Sequence, residues 1–446
     1  MNTVNKQYKE VLGDFLPNLG KPDRKWIIQV IILLLIIGVG LLAFAYQLIE
    51  GQIVTGMRDN VVLAVYIVNF IFFIGLSYAG ALIAGIFHLG GINWGRPLLR
   101  ILEIITLTSL IVGPVFILVC IGRPERFLYM FIYARFQSPL IWDVIAIVSD
   151  LFFCIVYLNF TYIKDFAKLR DCSELKVSNW RRKIYTIFAW GYNNTKKQEK
   201  LLNQAQNIMA AIIIPTSIIA YSLLAWLFGM NQRPGWHNSI FAPYFVLTAV
   251  YSGIALLIII MWYYRKYFKL EKYITKEHFN YLGFTLLILA LFYGYFSFSE
   301  YITEWYNSQK TTSILLDKYW DFSEYGFMFL VSNILAAILP IIIIGFPKFR
   351  SVNSITISSA LILFALWLKR YLIVVPSLET PYIPIQDYRE EWIHYSATWV
   401  EWALTLGGIS FFILVFVLMS KLAPIIPVSE MEEKARGIRI FYKTRE

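Results

Sequence analysis

Charge is scarce in this sequence. Only 15% of its 446 residues are Asp, Glu, Lys or Arg, where a soluble protein carries about a quarter. There are three cysteines and four histidines, and each shortage excludes a chemistry. Cys120, Cys154 and Cys172 are too few and too scattered to hold an iron–sulfur cluster. Two of them fall in or at apolar runs, so a disulfide framework is not expected either. A membrane b-type cytochrome needs axial histidine pairs inside its bundle. His88 and His278 fall near one end of the apolar runs and His237 and His394 near the other, with no two at ligand spacing on one helix. Neither haem nor a metal site is therefore expected. P-loop, H-E-x-x-H and nucleophile-elbow patterns are missing, and the chain is read as carrying no redox centre of its own.

What it has instead is apolar length. Hydrophobic residues make up 58% of it and aromatics 17%. Apolar runs recur from residue 26 almost to the end, each long enough for the roughly 20 residues that cross about 30 Å of hydrocarbon. Backbone groups in lipid must be satisfied within their own segment, so the runs are helices. The reading is an all-α integral membrane protein with ten spans, at 26–48, 61–88, 98–120, 140–162, 207–229, 239–263, 281–306, 323–346, 353–375 and 397–420. The first 25 residues are polar and charged, and no A-x-A-like site follows the first run, so no signal peptide is expected.

A net charge of +11 suggests nucleic acid until its distribution is read. With the N-terminus inside, the inside segments hold 30 of the 40 Lys and Arg residues and the outside loops 10. That is the positive-inside pattern with both termini cytoplasmic. The basic excess is a topology signal, no nucleic-acid partner is expected, and the expected location is the cytoplasmic membrane of a prokaryote.

Segments 1–25 and 421–446 are expected as cytoplasmic ends. The first helix and three further spans occupy 26–162, a basic cytoplasmic loop fills 163–206, and the other spans lie in 207–420. "VYIVNFIFFIGLSYAGAL" in span 2 is echoed by "PYFVLTAVYSGIALL" in span 6. Gly75, Ser77, Gly80, Ser252 and Gly253 allow close helix approach in lipid, which explains the echo without duplication. Taken as a duplication, it makes spans 2–5 and 6–9 two four-helix bundles, with spans 1 and 10 peripheral. Loop 376–395, "PSLETPYIPIQDYREEW", has three prolines, which favour extended and semi-rigid chain. It reads as a docking surface or a connector.

Ionisable groups inside spans are functional candidates. Glu103 lies near the inner end of span 3. Asp143 lies near the outer end of span 4, and Asp150 about 10.5 Å deeper on nearly the same azimuth. Asn69, Ser77 and Tyr78 in span 2, with Thr106, Thr108 and Ser109 in span 3, offer hydrogen-bonding steps between these acids and the inside, or else structural contacts holding three helices together. Glu300, Glu304 and Glu401 read as interfacial groups beside the aromatic anchors Trp305 and Trp402.

The most charged stretch between two early spans is "CIGRPERFLYMFIYARFQSPLIWDV", residues 120–144. Ser138 and Pro139 read as N-cap and first residue of span 4, which sets Asp143 at the outer membrane boundary. There it is either a carboxylate able to take a proton from a hydroxyl arriving through the lipid, or half of an Arg–Asp clasp between spans 3 and 4.

With "CIGRPERF" and "QSPLIWD" in place, the sequence resembles the quinone-reactive membrane subunits of the NrfD/PsrC type. That family includes the polysulfide reductase anchor and the two large membrane subunits of alternative complex III. Gly122, Arg123, Pro124, Ser138, Pro139, Trp142 and Asp143 match its G-R-P and S-P-L-x-W-D elements, and "FSEYITEWY" in span 7 is similar to its second-bundle pattern. The resemblance implies a menaquinone- or ubiquinone-type headgroup near the outer face, held by Asp143, Arg123, Glu125, Trp142 and the residue at position 120. It implies an iron–sulfur partner subunit outside, and a second similar membrane subunit as in the alternative complex III branch. It also implies a proton path through the first bundle, which suits Asp150 and Glu103 with Asn69, Ser77, Tyr78 and Thr106. Position 120 departs from the family: Cys120 stands where the related subunits have a histidine or acid, and a neutral thiol is a poor base.

The leading expectation is a membrane subunit of a respiratory oxidoreductase, with Asp143 as proton acceptor and proton translocation through the first bundle. The alternatives are a catalytically silent scaffold or proton-conducting subunit, for which Cys120 speaks, and a secondary transporter. A transporter needs a pair of interrupted helices at mid-membrane, and no convincing pair is found.

Overall fold

In the computed structural model the described residues are 22–172, 178–231, 233–307, 309–381 and 394–427. The N-terminal segment to residue 21, the tail from 428 and the 382–393 part of the loop read as a docking surface lie outside them. The described residues are helical, without a strand among them.

Ten helices are long and apolar enough to cross a membrane. They are α1 (Arg24–Glu50), α2 (Ala64–Leu89), α3 (Leu99–Cys120), α4 (Pro139–Asp171), α6 (Lys196–Gly229), α7 (Phe241–Tyr267), α8 (Lys276–Asn307), α10 (Gly326–Gly345), α11 (Val352–Leu378) and α12 (Trp399–Leu422). Two shorter helices, α5 (Asn179–Phe188) and α9 (Lys310–Trp320), lie between spans, and the 121–138 loop carries a single α-helical turn over Tyr129–Ile132.

The packing groups eight of the spans into the two four-helix bundles expected from spans 2–5 and 6–9. Helices α2, α3, α4 and α6 close one ring of neighbours, and α7, α8, α10 and α11 close another in the same cyclic order. The rings meet where α2 packs on α7 and α11, and α1 pairs with α12 at the side, against α3. The approach of α2 to α7 depends on Gly253, where a Cβ would fall 2.5 Å from the Cβ of Ala79. Gly80 does the same for α2 and α3, since a Cβ there would lie 2.5 Å from Thr106 Oγ1. Helix α2 is the most enclosed span, 89% of its apolar window being buried, against 11% for α1.

Hydropathy locates hydrocarbon and not helix ends, and the segment 163–206 shows the difference. Instead of one long loop, it carries the last turns of α4, the surface helix α5 and the first turns of α6. Span 3 ends at Gly122, whose φ of +73° is the left-handed conformation that favours glycine there. Ser138 and Pro139 begin α4 as N-cap and first residue, although the serine hydroxyl makes no cap bond. In α10 a π-helical turn over Ile334–Ile338 precedes Pro340.

Candidate functional site

Helix α4 is inside out. Leu140, Ile145, Val148, Phe152 and Ile155 are exposed, while Asp143, Asp150, Cys154, Tyr157, Lys164 and Asp165 are buried. Positions 143, 150, 157 and 164 recur every seven residues, which keeps one face of a helix towards its neighbours. From Asp143 to Lys164 the rise is about 31 Å, the thickness of the hydrocarbon layer. A polar stripe therefore runs the length of the first bundle.

At the end carrying the 121–138 loop, Asp143 is buried and its Oδ1 has no hydrogen-bond partner. Asp150 is fully buried, and neither of its oxygens has a hydrogen bond of good geometry. Cys154 is its polar neighbour one turn along. Tyr78 on α2 presents a buried hydroxyl without a hydrogen-bond partner, within electrostatic reach of Asp150 and Asp143. Ser109 on α3 and Ser217 on α6 are likewise buried without a side-chain partner. Tyr78, Ser109, Asp150 and Ser217 all lie about 16–21 Å from that end of their helices. Each helix of the bundle thus brings an unpartnered polar group to a similar level. Buried polar groups are nearly always satisfied, by protein or by ordered water.

The other end, beside the basic surface helix, is closed by charge. Arg100 Nη2 donates to Asp165 Oδ2 at 2.7 Å, and its Nη1 lies 3.6 Å from Glu103 Oε2. The guanidinium stacks 3.5 Å from the centre of the Tyr162 ring. Thr161 Oγ1 donates to Glu103 at 2.9 Å. Lys164 Nζ donates to Asn203 at 2.9 Å, and His88 pairs with Asn207 at 2.9 Å. Glu103, expected as a relay beside the inside, is thus held in a network with Arg100, Thr161 and, through Arg100, Asp165.

Several expected site residues lie apart from the stripe. Asn69 sits nine residues before Tyr78, about half a turn round α2, and faces the other way. It donates to Thr405 on α12 at 2.8 Å and accepts from Trp367 on α11 at 2.9 Å. Ser77 donates to Thr106 O at 2.9 Å, clasping α2 to α3 beside Gly80, while the Thr106 hydroxyl donates back within α3 to Leu102 O at 2.9 Å. Arg123 and Glu125 are exposed on the 121–138 loop, and Arg123 forms no ion pair with Asp143 among the described residues. Arg123 therefore does not supply the expected Arg–Asp clasp. Trp142 Nε1 donates to Phe136 O at 2.6 Å, which pins the loop to α4. Cys120 turns its buried thiol back to Ile117 O at 3.1 Å.

The acids of spans 7 and 10, read as interfacial, are held in side-chain networks within the protein. Glu300 is 5% exposed and pairs with Lys369 on α11 at 3.0 Å, and Lys369 also donates to Tyr301 at 2.5 Å. Glu304 on the same helix is half-buried. Glu401 is fully buried, accepting from the amides of Gly56 and Thr398 at 2.8 and 2.9 Å and from Tyr395 Oη at 2.5 Å. Burial, with Glu401 beside it, pushes the Tyr395 phenol well above its usual range. Sequence reasoning passed over Lys369 and Arg370, counting them with an outside loop, although both lie within α11 at 3% exposure. The signal was present in "LWLKRYLIVV", two cations inside an otherwise apolar run. Among the described residues no group of three His, Cys, Asp or Glu could hold a metal ion.

These features define a multi-pass, all-helical integral membrane protein of two four-helix bundles, the first traversed by a polar stripe. The chain belongs to the NrfD polysulphide reductase family, whose model matches residues 53–381. It is 29% identical over 250 residues to a Halobacterium salinarum protein named for a membrane subunit of dimethyl sulfoxide reductase. That alignment covers 55% of this chain and 52% of the relative, about half its length. It is 22% identical over 402 residues to a selenate reductase subunit of Mesobacillus selenatarsenatis, covering 87% of this chain and 91% of the relative. It is also 22% identical over 444 residues to the Hdr-like menaquinol oxidoreductase integral membrane subunit of Archaeoglobus fulgidus, covering 96% and 98%.

Proposed function

We propose that this chain is the membrane subunit of a prokaryotic oxidoreductase complex in the cytoplasmic membrane, binding quinone or quinol where α4 begins. The observation that carries the reading is the buried Asp143 Oδ1, an acceptor without a partner at the head of the α4 stripe. A carboxylate oxygen in that state suits the hydroxyl of a quinol headgroup. The bound quinone would supply the two-electron, two-proton chemistry. The chain's own residues do the rest: Asp143 accepts the hydroxyl hydrogen, Trp142 fixes the loop over the site, and Arg123 and Glu125 stand at its entrance.

From Asp143 the way inward is Tyr78, Asp150 and buried water, ending at the network of Glu103, Arg100 and Asp165. The 121–138 loop lies outside and the basic surface helix inside, with both termini cytoplasmic. The Lys/Arg asymmetry supports this orientation, and more so now that Lys369 and Arg370 leave the outside count. Electrons pass to or from an iron–sulfur partner seated over the 121–138 loop, beside which a second similar membrane subunit is accommodated. Membrane-subunit and menaquinol names among the relatives support this assignment.

The test is fluorescence-quench titration of a quinol analogue into the purified protein or its complex, wild type beside Asp143→Asn. Saturable quenching that weakens in the variant is expected. Absent quenching, or equal quenching in both, overturns the site. A second reading, a scaffold or proton-conducting subunit without quinol chemistry, is favoured by one observation: Cys120 spends its thiol on its own helix and offers Asp143 no basic partner.

A further inference from the structure

Helix α1 is the least buried of the spans, and within it only Gly40, Ala43 and Gln47 are buried. Gly40 serves packing: a Cβ there would lie 3.2 Å from Ala403 O and 3.3 Å from Gly407 Cα on α12. Gln47 follows on the same face and is 3% exposed. A polar side chain buried in a span is a functional candidate, and leucine would fill similar space with no amide to satisfy.

The Gln47 amide joins three segments. Its Nε2 donates to Val119 O on α3 at 2.9 Å and to Gln52 Oε1 at 3.2 Å, and its Oε1 accepts from Tyr66 Oη on α2 at 2.7 Å. Gln52, just past the end of α1, donates in turn from Nε2 to Cys120 O at 3.4 Å. A helix leaves its last carbonyls without partners of its own, and at the end of α3 those of Val119 and Cys120 accept from these glutamines. Gln52 also lies across Gly122, where a Cβ would fall 3.0 Å from its Nε2 and 3.2 Å from its Cγ. Glycine at this point of G-R-P is thus required twice, by the left-handed turn and by the neighbouring glutamine.

The chain that carries Gln52 is itself fixed. Thr55 Oγ1 donates to Gln52 O at 2.6 Å, and the Gly56 amide donates to the buried Glu401 of α12 at 2.8 Å. A Cβ at Gly56 would collide with Ser396 O. The side pair of α1 and α12 therefore holds the last turn of α3 through a bracket, with Gln47 and Gln52 at one end and Glu401 at the other.

We propose that this bracket aims the 121–138 loop and that Gln47 and Gln52 are positioning residues for quinol binding, a role that rests on Asp143 meeting the headgroup. Arg123 directly follows Gly122, and the loop returns at Phe136 to Trp142, the residue before Asp143. The direction in which the chain leaves α3 therefore governs where Arg123 and Glu125 stand. Without the Gln47 amide, the Val119 carbonyl loses its donor and Gln52 loses the partner that holds it over Gly122. The turn then opens more readily, and the loop spends less time in the arrangement that receives the headgroup.

The test compares Gln47→Leu with wild type as the full chain in lipid nanodiscs, well below the unfolding temperature of either. Amides of 121–128 should exchange with solvent about fivefold faster, the equivalent of one ordinary hydrogen bond. The Kd of a quinol analogue, read by fluorescence quenching, should rise about fivefold with it. Lys369→Met, a destabilising change in the other bundle, should move neither, which separates positioning from general loss of stability. Gln52→Ala should move both in the same direction by roughly two- to threefold, and it carries the test if Gln47→Leu does not fold. Unchanged loop exchange, or an equal shift in Lys369→Met, overturns the proposal. Wild-type protein that shows no saturable quenching overturns the quinol site itself. Quenching that Asp143→Asn weakens and the glutamine variants leave unchanged overturns the positioning role alone.

Discussion

Replacing Arg100 by lysine keeps the charge at the basic end of the stripe and removes the geometry. The guanidinium serves several partners at once: Asp165 at 2.7 Å, Thr161 O at 3.2 Å, Glu103 at 3.6 Å and the Tyr162 face at 3.5 Å. An ammonium is a point donor without the planar fork, and it reaches one carboxylate well but not both together with the carbonyl. A lost hydrogen bond to a charged group costs about 1.5–3 kcal/mol, and a lost desolvated cation–π contact roughly 0.5–2 kcal/mol. Arg100→Lys should therefore cost about 2–5 kcal/mol. Arg100→Met leaves two buried acids without their cation and should cost more than the roughly 3–5 kcal/mol typical of one broken buried pair. The assay is unfolding of the full chain in mixed micelles by increasing SDS, followed by tryptophan fluorescence. The expected order is wild type, then Arg100→Lys, then Arg100→Met. A lysine variant as stable as wild type would show that charge alone closes this end, and a methionine variant within about 1 kcal/mol would refute the network's role.

Three other outcomes are expected. Lys369→Met should destabilise the second bundle by about 3–5 kcal/mol by stranding Glu300, and Lys369→Met with Glu300→Gln should recover most of it in the same assay. Gly80→Val should cost about 1–3 kcal/mol, because its branches would press on Thr106 and Leu102 O, backbone that cannot turn aside; a neutral result means α2 and α3 can separate. The Ser323 hydroxyl and then its amide hold the Asp321 carboxyl below its usual range. A depressed folded-state value means the contact is complete above the unfolded value and is lost as pH falls through the folded one. Protection of the Ser323 amide from hydrogen exchange, relative to its intrinsic rate at each pH, should therefore fall below about pH 4, and protection that ignores this range refutes it.

Much of the fold was readable because hydrocarbon imposes a one-dimensional rule. A helix must be apolar for about 20 residues, so ten spans could be counted from the chain alone, and Ser138 and Pro139 marked where α4 begins. Seven-residue spacing also put Asp143 and Asp150 on one face. Sequence does not record azimuth between helices, and there the reading was uneven. Asn69 and Tyr78 share a helix and a polar character, but half a turn separates a clasp to α11 and α12 from a buried hydroxyl without a hydrogen-bond partner. Glu300 and Lys369 lie 69 positions apart, and only folding makes them a pair. The chain by itself determined that this is a helical membrane protein of the family its G-R-P and S-P-L-I-W-D elements suggest, because spans and turns are local. Tertiary structure alone decided which buried charges are satisfied and which are left over, because a charge in the membrane interior is defined by partners that arrive from other helices.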